Sequence, residues 1–144
     1  MIDQKAYSIL TFLKEESNYF EIKAKDVTFE EFTSNKDLRK ILNATLNELV
    51  LALVDLAGEC LRNSGMRVPI TYREIILSTG ELFGDIALKA APLAKLRNET
   101  VHEYMNINWK NIQYLRAKGL TTLKDYVAKA EELLITPTSS NNKS

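Results

Sequence analysis

Residues 35–61 read NKDLRKILNATLNELVLALVDLAGECL and decide the fold. Apolar side chains recur there every three or four positions, which is the spacing of one face of an α-helix about seven turns long. Ser34 or Asn35 fits the N-cap of this helix, and Gly65 fits its C-terminal stop. Because the apolar stripe widens at residues 49–54, we expect the helix to be central and covered on more than one side.

The composition of the chain as a whole also favours helix, since its 144 residues include only 5 Gly and 3 Pro. A short helical turn over residues 26–32 is expected to place Phe29 and Phe32 in the core. Pro92 predicts a kink or a fresh start within its segment. Further helices are expected over residues 3–22, with Asp3 as cap, 71–80, with Gly80 as stop, 85–104, 106–115, with Asn106 or Asn108 as cap, and 120–134, after Gly119.

These elements predict an all-α fold, a bundle of four main helices plus one or two short ones. We expect one domain over residues 1–135 and a disordered polar tail at residues 136–144.

The composition excludes several classes of chemistry. The chain has 144 residues, a formal net charge of zero, one Cys and one His, so a zinc site with the usual nitrogen and sulfur ligands is not expected. No glycine-rich phosphate loop occurs. The longest uninterrupted apolar run, residues 49–54, is far shorter than the roughly 20 residues that span a bilayer. We therefore expect a cytoplasmic protein that uses no cofactor, no metal and no membrane.

One stretch, residues 96–104 (LRNETVHEY), concentrates side chains capable of chemistry. On an ideal helix, Asn98 and His102 share one side, Arg97 lies on the apolar stripe, and Arg97 and His102 point roughly 140° apart. Arg97 and His102 can therefore reach one anion only if the helix distorts or if a second copy of the chain completes the site across a two-fold axis.

The three side chains suit cleavage of a phosphodiester without metal. His102 can take a proton from a ribose 2′-hydroxyl and return one to the leaving 5′-oxygen. Arg97 can stabilise the negative charge of the transition state, and Asn98 can fix the imidazole tautomer or hold the ribose. Residues 89–118 also carry six positive and two negative charges, an excess suited to RNA.

Simpler interpretations of the same residues stay open at this point. A lone His on a helix is commonly a surface or capping residue, and Arg97 could pair with a carboxylate across the bundle. Tyr104 and Trp109 are more often core or interface aromatics than platforms for bases. Composition alone indicates only a soluble helical bundle.

The order Arg97-Asn98-Glu-Thr-Val-His102-Glu-Tyr104 resembles the RxxxxHxY signature of HepT-like proteins in the HEPN family. The resemblance covers roughly residues 1–135. It extends to four further positions or segments: residues 29–32 (FEEF), 57–59 (AGE) and 72–74 (YRE), and Trp109. The chain departs from the family in one respect, because Asn106 and Asn108 follow the tyrosine where members often have an acid.

The resemblance implies a helical bundle that dimerises with its signature helices facing each other, and a metal-independent endoribonuclease. It implies that Arg97 and His102 are catalytic, with Asn98 in support. It also implies the toxin of a type II toxin–antitoxin pair, as a homodimer alone or in a hetero-oligomer with its antitoxin. The antitoxin would be a minimal nucleotidyltransferase that transfers AMP to Tyr104. The alternative is a non-catalytic subunit that docks a nucleotidyltransferase and presents its substrate.

Overall fold

The computed structural model of the chain describes residues 3–99 and 104–135, and every regular element within these ranges is helical. The predicted all-α fold is confirmed. Four α-helices have ten or more residues, and the short ones number four rather than one or two within the described ranges. The α-helices are α1 Gln4–Ala24, α2 Phe29–Ser34, α3 Lys36–Asn63, α4 Tyr72–Ser78, α5 Gly80–Phe83, α6 Asp85–Ala90, α7 Met105–Tyr114 and α8 Leu120–Ile135. The tail predicted at residues 136–144 lies outside the described residues.

Local hydrogen bonds begin the first two helices: α1 starts where the sequence predicts, and α2 starts at Phe29 rather than at residue 26. The carboxylate of Asp3 accepts a bond from the Ala6 N–H at 2.7 Å, which caps α1. Thr28 and Glu31 form a reciprocal capping box at the start of α2. The prediction that both phenylalanines enter the core is right for Phe32 and wrong for Phe29, which stays 41% exposed with its ring centroid 6.0 Å from that of Trp109.

The 28-residue helix α3 is the centre of the bundle and packs against α1, α4 and α8. Asn35 is its N-cap, since its side chain accepts a bond from the Leu38 N–H at 3.0 Å. Gly65 ends it with a positive φ of 70°, and the Met66 N–H donates to the Leu61 carbonyl. This is the Schellman arrangement in which glycine is favoured, because a Cβ would strain that backbone conformation.

The apolar content of α3 has a structural explanation. The helix is long and apolar enough by composition to cross a membrane, with a mean hydropathy of 1.4 over its most apolar window. However, 67% of that window is buried inside the bundle. The burial matches that of a core helix, whose side chains avoid water by packing on other helices.

Residues 66–99 differ most from the predicted pattern. Gly80 does not end a helix but begins α5. Thr79 is the C-cap of α4, and its hydroxyl is hydrogen-bonded to the Tyr126 hydroxyl at 2.8 Å. Pro92 does mark a fresh start, since α6 ends at Ala90 and a 3-10 helix covers Ala91–Lys95. Proline fits there because the first turn of a helix does not need its N–H.

The predicted break at Gly119 is wrong. A π-helical turn, Leu115–Gly119, joins α7 to α8, so helical conformation continues from Met105 to Ile135. Glycine serves here for close packing, because a Cβ at position 119 would lie 2.8 Å from Leu93 Cδ2 and 3.1 Å from Leu115 Cδ1. Leu93 belongs to the 3-10 helix just before the signature.

We expect Gly119→Ala to lower the free energy of unfolding by about 1–2 kcal/mol, because forcing a methyl group into a filled core outweighs the better helix propensity of alanine. Chemical denaturation with a circular dichroism readout measures the change. Gly80→Ala is the matched control, since its Cβ would meet only Ala87 Cβ at 3.7 Å, an ordinary contact. Equal stability of the two variants would contradict the packing role of Gly119.

Candidate active site

The first residues of the signature are not helical. Leu96, directly after the 3-10 helix, has the extended dihedrals φ −71° and ψ 121°, and residues 96–99 form no regular secondary structure; we call these four residues the extended segment, after the conformation of Leu96. The prediction of a helix through this region is therefore wrong over residues 96–99. The angle of roughly 140° between Arg97 and His102 does not apply, because it assumed ideal helical geometry for both residues.

Two asparagines of α3 take the place of the missing helical hydrogen bonds. The Asn98 N–H donates to Asn47 Oδ1 at 2.8 Å, and Asn47 Nδ2 donates to the Asn98 carbonyl at 2.8 Å. One turn earlier on α3, Asn43 Oδ1 accepts a bond from Asn98 Nδ2 at 2.8 Å. Both backbone polar groups of Asn98 are thus satisfied without helix, as a buried backbone requires.

Two asparagines of α7 hold the other side of the segment. Asn108 exchanges two bonds with the backbone of Glu99, accepting from its N–H at 3.0 Å and donating to its carbonyl. Asn111 Nδ2 donates to Asn98 Oδ1 at 3.0 Å and to the Arg97 carbonyl at 3.2 Å. We call the four residues that bind the segment, Asn43, Asn47, Asn108 and Asn111, the asparagine cluster. The cluster attaches the segment to two helices at once.

This attachment decides which side chains face outward. Asn98 is buried, with 3% exposure, and its amide is bonded to Asn43, Asn111 and the Asn108 carbonyl. The side chain of Arg97 is 80% exposed. The sequence pattern placed Arg97 on the apolar stripe, and the structure reverses that placement.

Arg97 has one ionic neighbour among the described residues. Its Nε lies 3.5 Å from Glu99 Oε2, and the Glu99 side chain is 47% exposed. An ion pair this exposed contributes little stability, because water and salt screen it. The guanidinium is therefore open to a stronger anion such as a phosphate, with which it can form bidentate bonds.

Tyr104 stands at the start of α7. It occupies the N-cap position, its side chain makes no capping bond, and it is 41% exposed. The predicted caps Asn106 and Asn108 are wrong for this helix, since both lie within it and Asn108 bonds instead to Glu99. His102 lies outside the described residues, so the structure places Arg97, Asn98 and Tyr104 but not the histidine.

Sequence reasoning missed Asn43, Asn47 and Asn111. A usable signal existed on α3, because Asn43 and Asn47 lie one turn apart within a long apolar pattern. Amide side chains on a buried helical face need hydrogen-bond partners, and their spacing predicts that one outside segment supplies them. Asn111 on α7 carries no comparable signal.

The basic region of residues 89–118 divides into parts with different roles. Arg116 donates to the carbonyls of Ala24 and Val27, at 2.6 and 2.9 Å, and lies over the ring of Trp109. It closes the end of α1, which is a structural role. Lys95 and Arg97, by contrast, line one groove beside the signature.

The single cysteine offers no nucleophile. Cys60 is buried in α3, and burial, with a smaller contribution from the charge of Glu59, raises the pKa of its thiol to about 12. A thiol with such a pKa is protonated at neutral pH. Within residues 3–99 and 104–135, no three His, Cys, Asp or Glu side chains are grouped closely enough to hold a metal ion.

Residues 8–130 match the model of a family described as HepT-like, Ribonuclease HepT-like. This range includes the extended segment, the exposed Arg97 and the start of α7. The chain belongs to the HepT-like ribonuclease family. No curated protein and no solved structure matches the chain. The match includes all the signature residues of the HepT-like chain, so the resemblance predicted from Arg97, His102 and Tyr104 is confirmed at the level of the family.

Proposed function

We propose that this HepT-like chain is a metal-independent endoribonuclease that acts on RNA in the cytoplasm as the toxin of a type II toxin–antitoxin pair. One observation carries the proposal. The exposed Arg97 stands on a segment bonded to two helices, five positions before the only histidine, in a chain of a ribonuclease family.

In the proposed mechanism, the His102 imidazole removes the proton of a ribose 2′-hydroxyl, and the 2′-oxygen attacks the adjacent phosphorus. The bond from phosphorus to the 5′-oxygen breaks, and that oxygen takes a proton from imidazolium. Arg97 binds the phosphoryl oxygens, whose charge grows in the transition state. Asn98 acts as a positioning residue, because its buried amide is bonded to the asparagine cluster and keeps the Arg97 backbone in place.

A dimer fits this mechanism, because a second copy adds another Arg97 and His102 to the same site. An exposed apolar side chain near the start of α7 supports a dimer interface there. Ile107, three residues after Tyr104, is 57% exposed. Apolar side chains left exposed near a site often mark a contact surface.

Incubation of the purified protein with single-stranded RNA and excess EDTA tests the proposed activity. We expect cleavage with the chelator present and fragments that end in a 2′,3′-cyclic phosphate. If the protein cleaved RNA in none of the buffers tried, the proposed nuclease activity would be refuted. Cleavage restored only by added divalent metal would refute metal independence.

We further propose that the antitoxin, a minimal nucleotidyltransferase, neutralises the toxin by transferring AMP from ATP to the Tyr104 hydroxyl with release of pyrophosphate. The exposed ring at the start of α7 is accessible to such an enzyme. A phosphate added to Tyr104 would repel RNA and occupy its space.

On co-expression with the nucleotidyltransferase, we expect the intact mass to rise by one or more AMP groups and Tyr104→Phe to show no increase. Tyr72→Phe and Tyr114→Phe are the matched controls, since both rings are also exposed and should leave the modification unchanged. Tyr126 is a poor acceptor, because it is fully buried and bonded to Thr79. An increase that persists in Tyr104→Phe would place the modification elsewhere.

The second candidate is a non-catalytic subunit that docks a nucleotidyltransferase and presents its substrate. The contact between Arg97 and Glu99 favours it, because an arginine already paired with a carboxylate need not bind a phosphate. Expression in a host cell separates the two. Growth arrest that Arg97→Ala abolishes supports the nuclease, and unaffected growth supports the docking subunit.

A further inference from the structure

A groove of about 550 Å³ lies beside the signature, between the middle of α3, the start of α4 and the extended segment. Its volume falls in the range of roughly 300–1,000 Å³ that is usual for small-molecule clefts. Its lining combines three kinds of side chain: the aliphatic Val50 and Leu51, the aromatic Tyr72, and the cations Lys95 and Arg97. None of the signature's proposed chemistry uses Leu51, Tyr72 or Lys95.

Tyr72 presents an aromatic face at a defined place. It is the first residue of α4, 49% exposed, and the cap of that helix is set by the bond from the Glu74 N–H to Thr71 Oγ1. Leu51 on α3 is 48% exposed in the same groove. Flat aromatic rings of this kind stack on nucleic acid bases in proteins that bind single strands.

The charged side of the groove suits phosphates. Lys95 and Arg97 contribute two positive charges and Glu99 one negative charge, so this side has a net charge of +1. Glu99 reaches Arg97 only through a screened surface contact. Lysine is also depleted at the cores of protein interfaces, which favours a polyanion over a second copy of the chain as the occupant.

We propose that the groove binds the nucleotide that flanks the scissile phosphate in a single-stranded RNA. Tyr72 stacks on its base, Lys95 contacts the neighbouring phosphate, and Arg97 contacts the phosphate to be cleaved. The proposal rests on the proposed function, because it takes Arg97 as a ligand of the scissile phosphate.

Binding of a short single-stranded oligonucleotide with 2′-deoxyriboses tests the groove apart from catalysis, because this probe lacks the attacking hydroxyl. By fluorescence anisotropy we expect Tyr72→Ala to weaken binding about 5- to 150-fold, the effect of losing one stacked base, and Tyr72→Phe to bind within about twofold of wild type. Tyr19→Ala, which removes an exposed ring on α1, is the matched control and should leave binding unchanged. With cleavable RNA, Tyr72→Ala should raise KM more than it lowers kcat.

Lys95→Gln provides a second variant at an exposed position, where folding is not at risk. Losing one phosphate contact should reduce the slope of log Kd against log salt concentration by about 0.7. The proposal would be overturned if Tyr72→Ala bound the probe as tightly as wild type does. It would also be overturned if Tyr72→Phe bound the probe as weakly as Tyr72→Ala. A loss of dimer mass in Tyr72→Ala by light scattering would overturn it as well, since the groove would then be an interface between copies. If wild type binds the probe through Tyr72 but cleaves no RNA, the groove stands and the proposed nuclease fails.

Discussion

Replacing His102 with alanine is expected to lower the rate of RNA cleavage by about 10²- to 10⁴-fold, the usual contribution of one general acid or base. An imidazole is the side chain whose unperturbed pKa lies closest to neutral, so His102 is the signature residue suited both to take and to return a proton. The measurement is kcat for a labelled single-stranded RNA in EDTA. The wild-type rate should also change with pH across the neutral range, and the variant should lose that dependence.

The control for this variant is Gln113→Ala, an exposed position on α7 that should keep full activity. Circular dichroism and light scattering should show the same fold and mass for wild type and both variants. Cleavage by His102→Ala at the wild-type rate would contradict the acid–base assignment. If Arg97→Ala were also fully active, the whole signature would be excluded as the site of cleavage.

Replacing Asn98 with alanine is expected to lower the free energy of unfolding by about 2–4 kcal/mol. The change removes a buried amide that donates to Asn43 Oδ1 and the Asn108 carbonyl and accepts from Asn111 Nδ2. Asn43 is itself buried, so its oxygen is left without that donor and away from water. Urea denaturation measures the loss, with the slope against urea concentration unchanged.

Asn106→Ala is the matched control, because Asn106 is exposed on α7 and should cost less than about 0.5 kcal/mol. If the two variants were equally stable, the asparagine cluster would not hold the segment. A positioning role for Asn98 also predicts an effect on catalysis. Assayed well below its unfolding temperature, Asn98→Ala should show a lower kcat while keeping the pH dependence of wild type, since His102 is intact.

Much of the fold follows from local patterns. The starts of α1 and α3 were predicted because each N-cap side chain lies three residues before the backbone N–H that it satisfies. Gly65 was predicted as a stop because its positive φ is a local property of the chain. Gly119 was misread as a break before the last helix because the reason for a glycine there is distant in sequence: Leu93 fills the space that a Cβ would need.

The candidate site divides in the same way. The sequence by itself determined an all-helical chain and the order of Arg97, Asn98, His102 and Tyr104, because periodicity, caps and motif spacing are local. Only the tertiary structure decided that Asn98 lies inside and Arg97 outside. Asn43 and Asn47, more than 50 residues earlier, supply the hydrogen bonds that an α-helix would otherwise have supplied within the segment. A segment whose backbone is satisfied from outside need not follow its own helical periodicity.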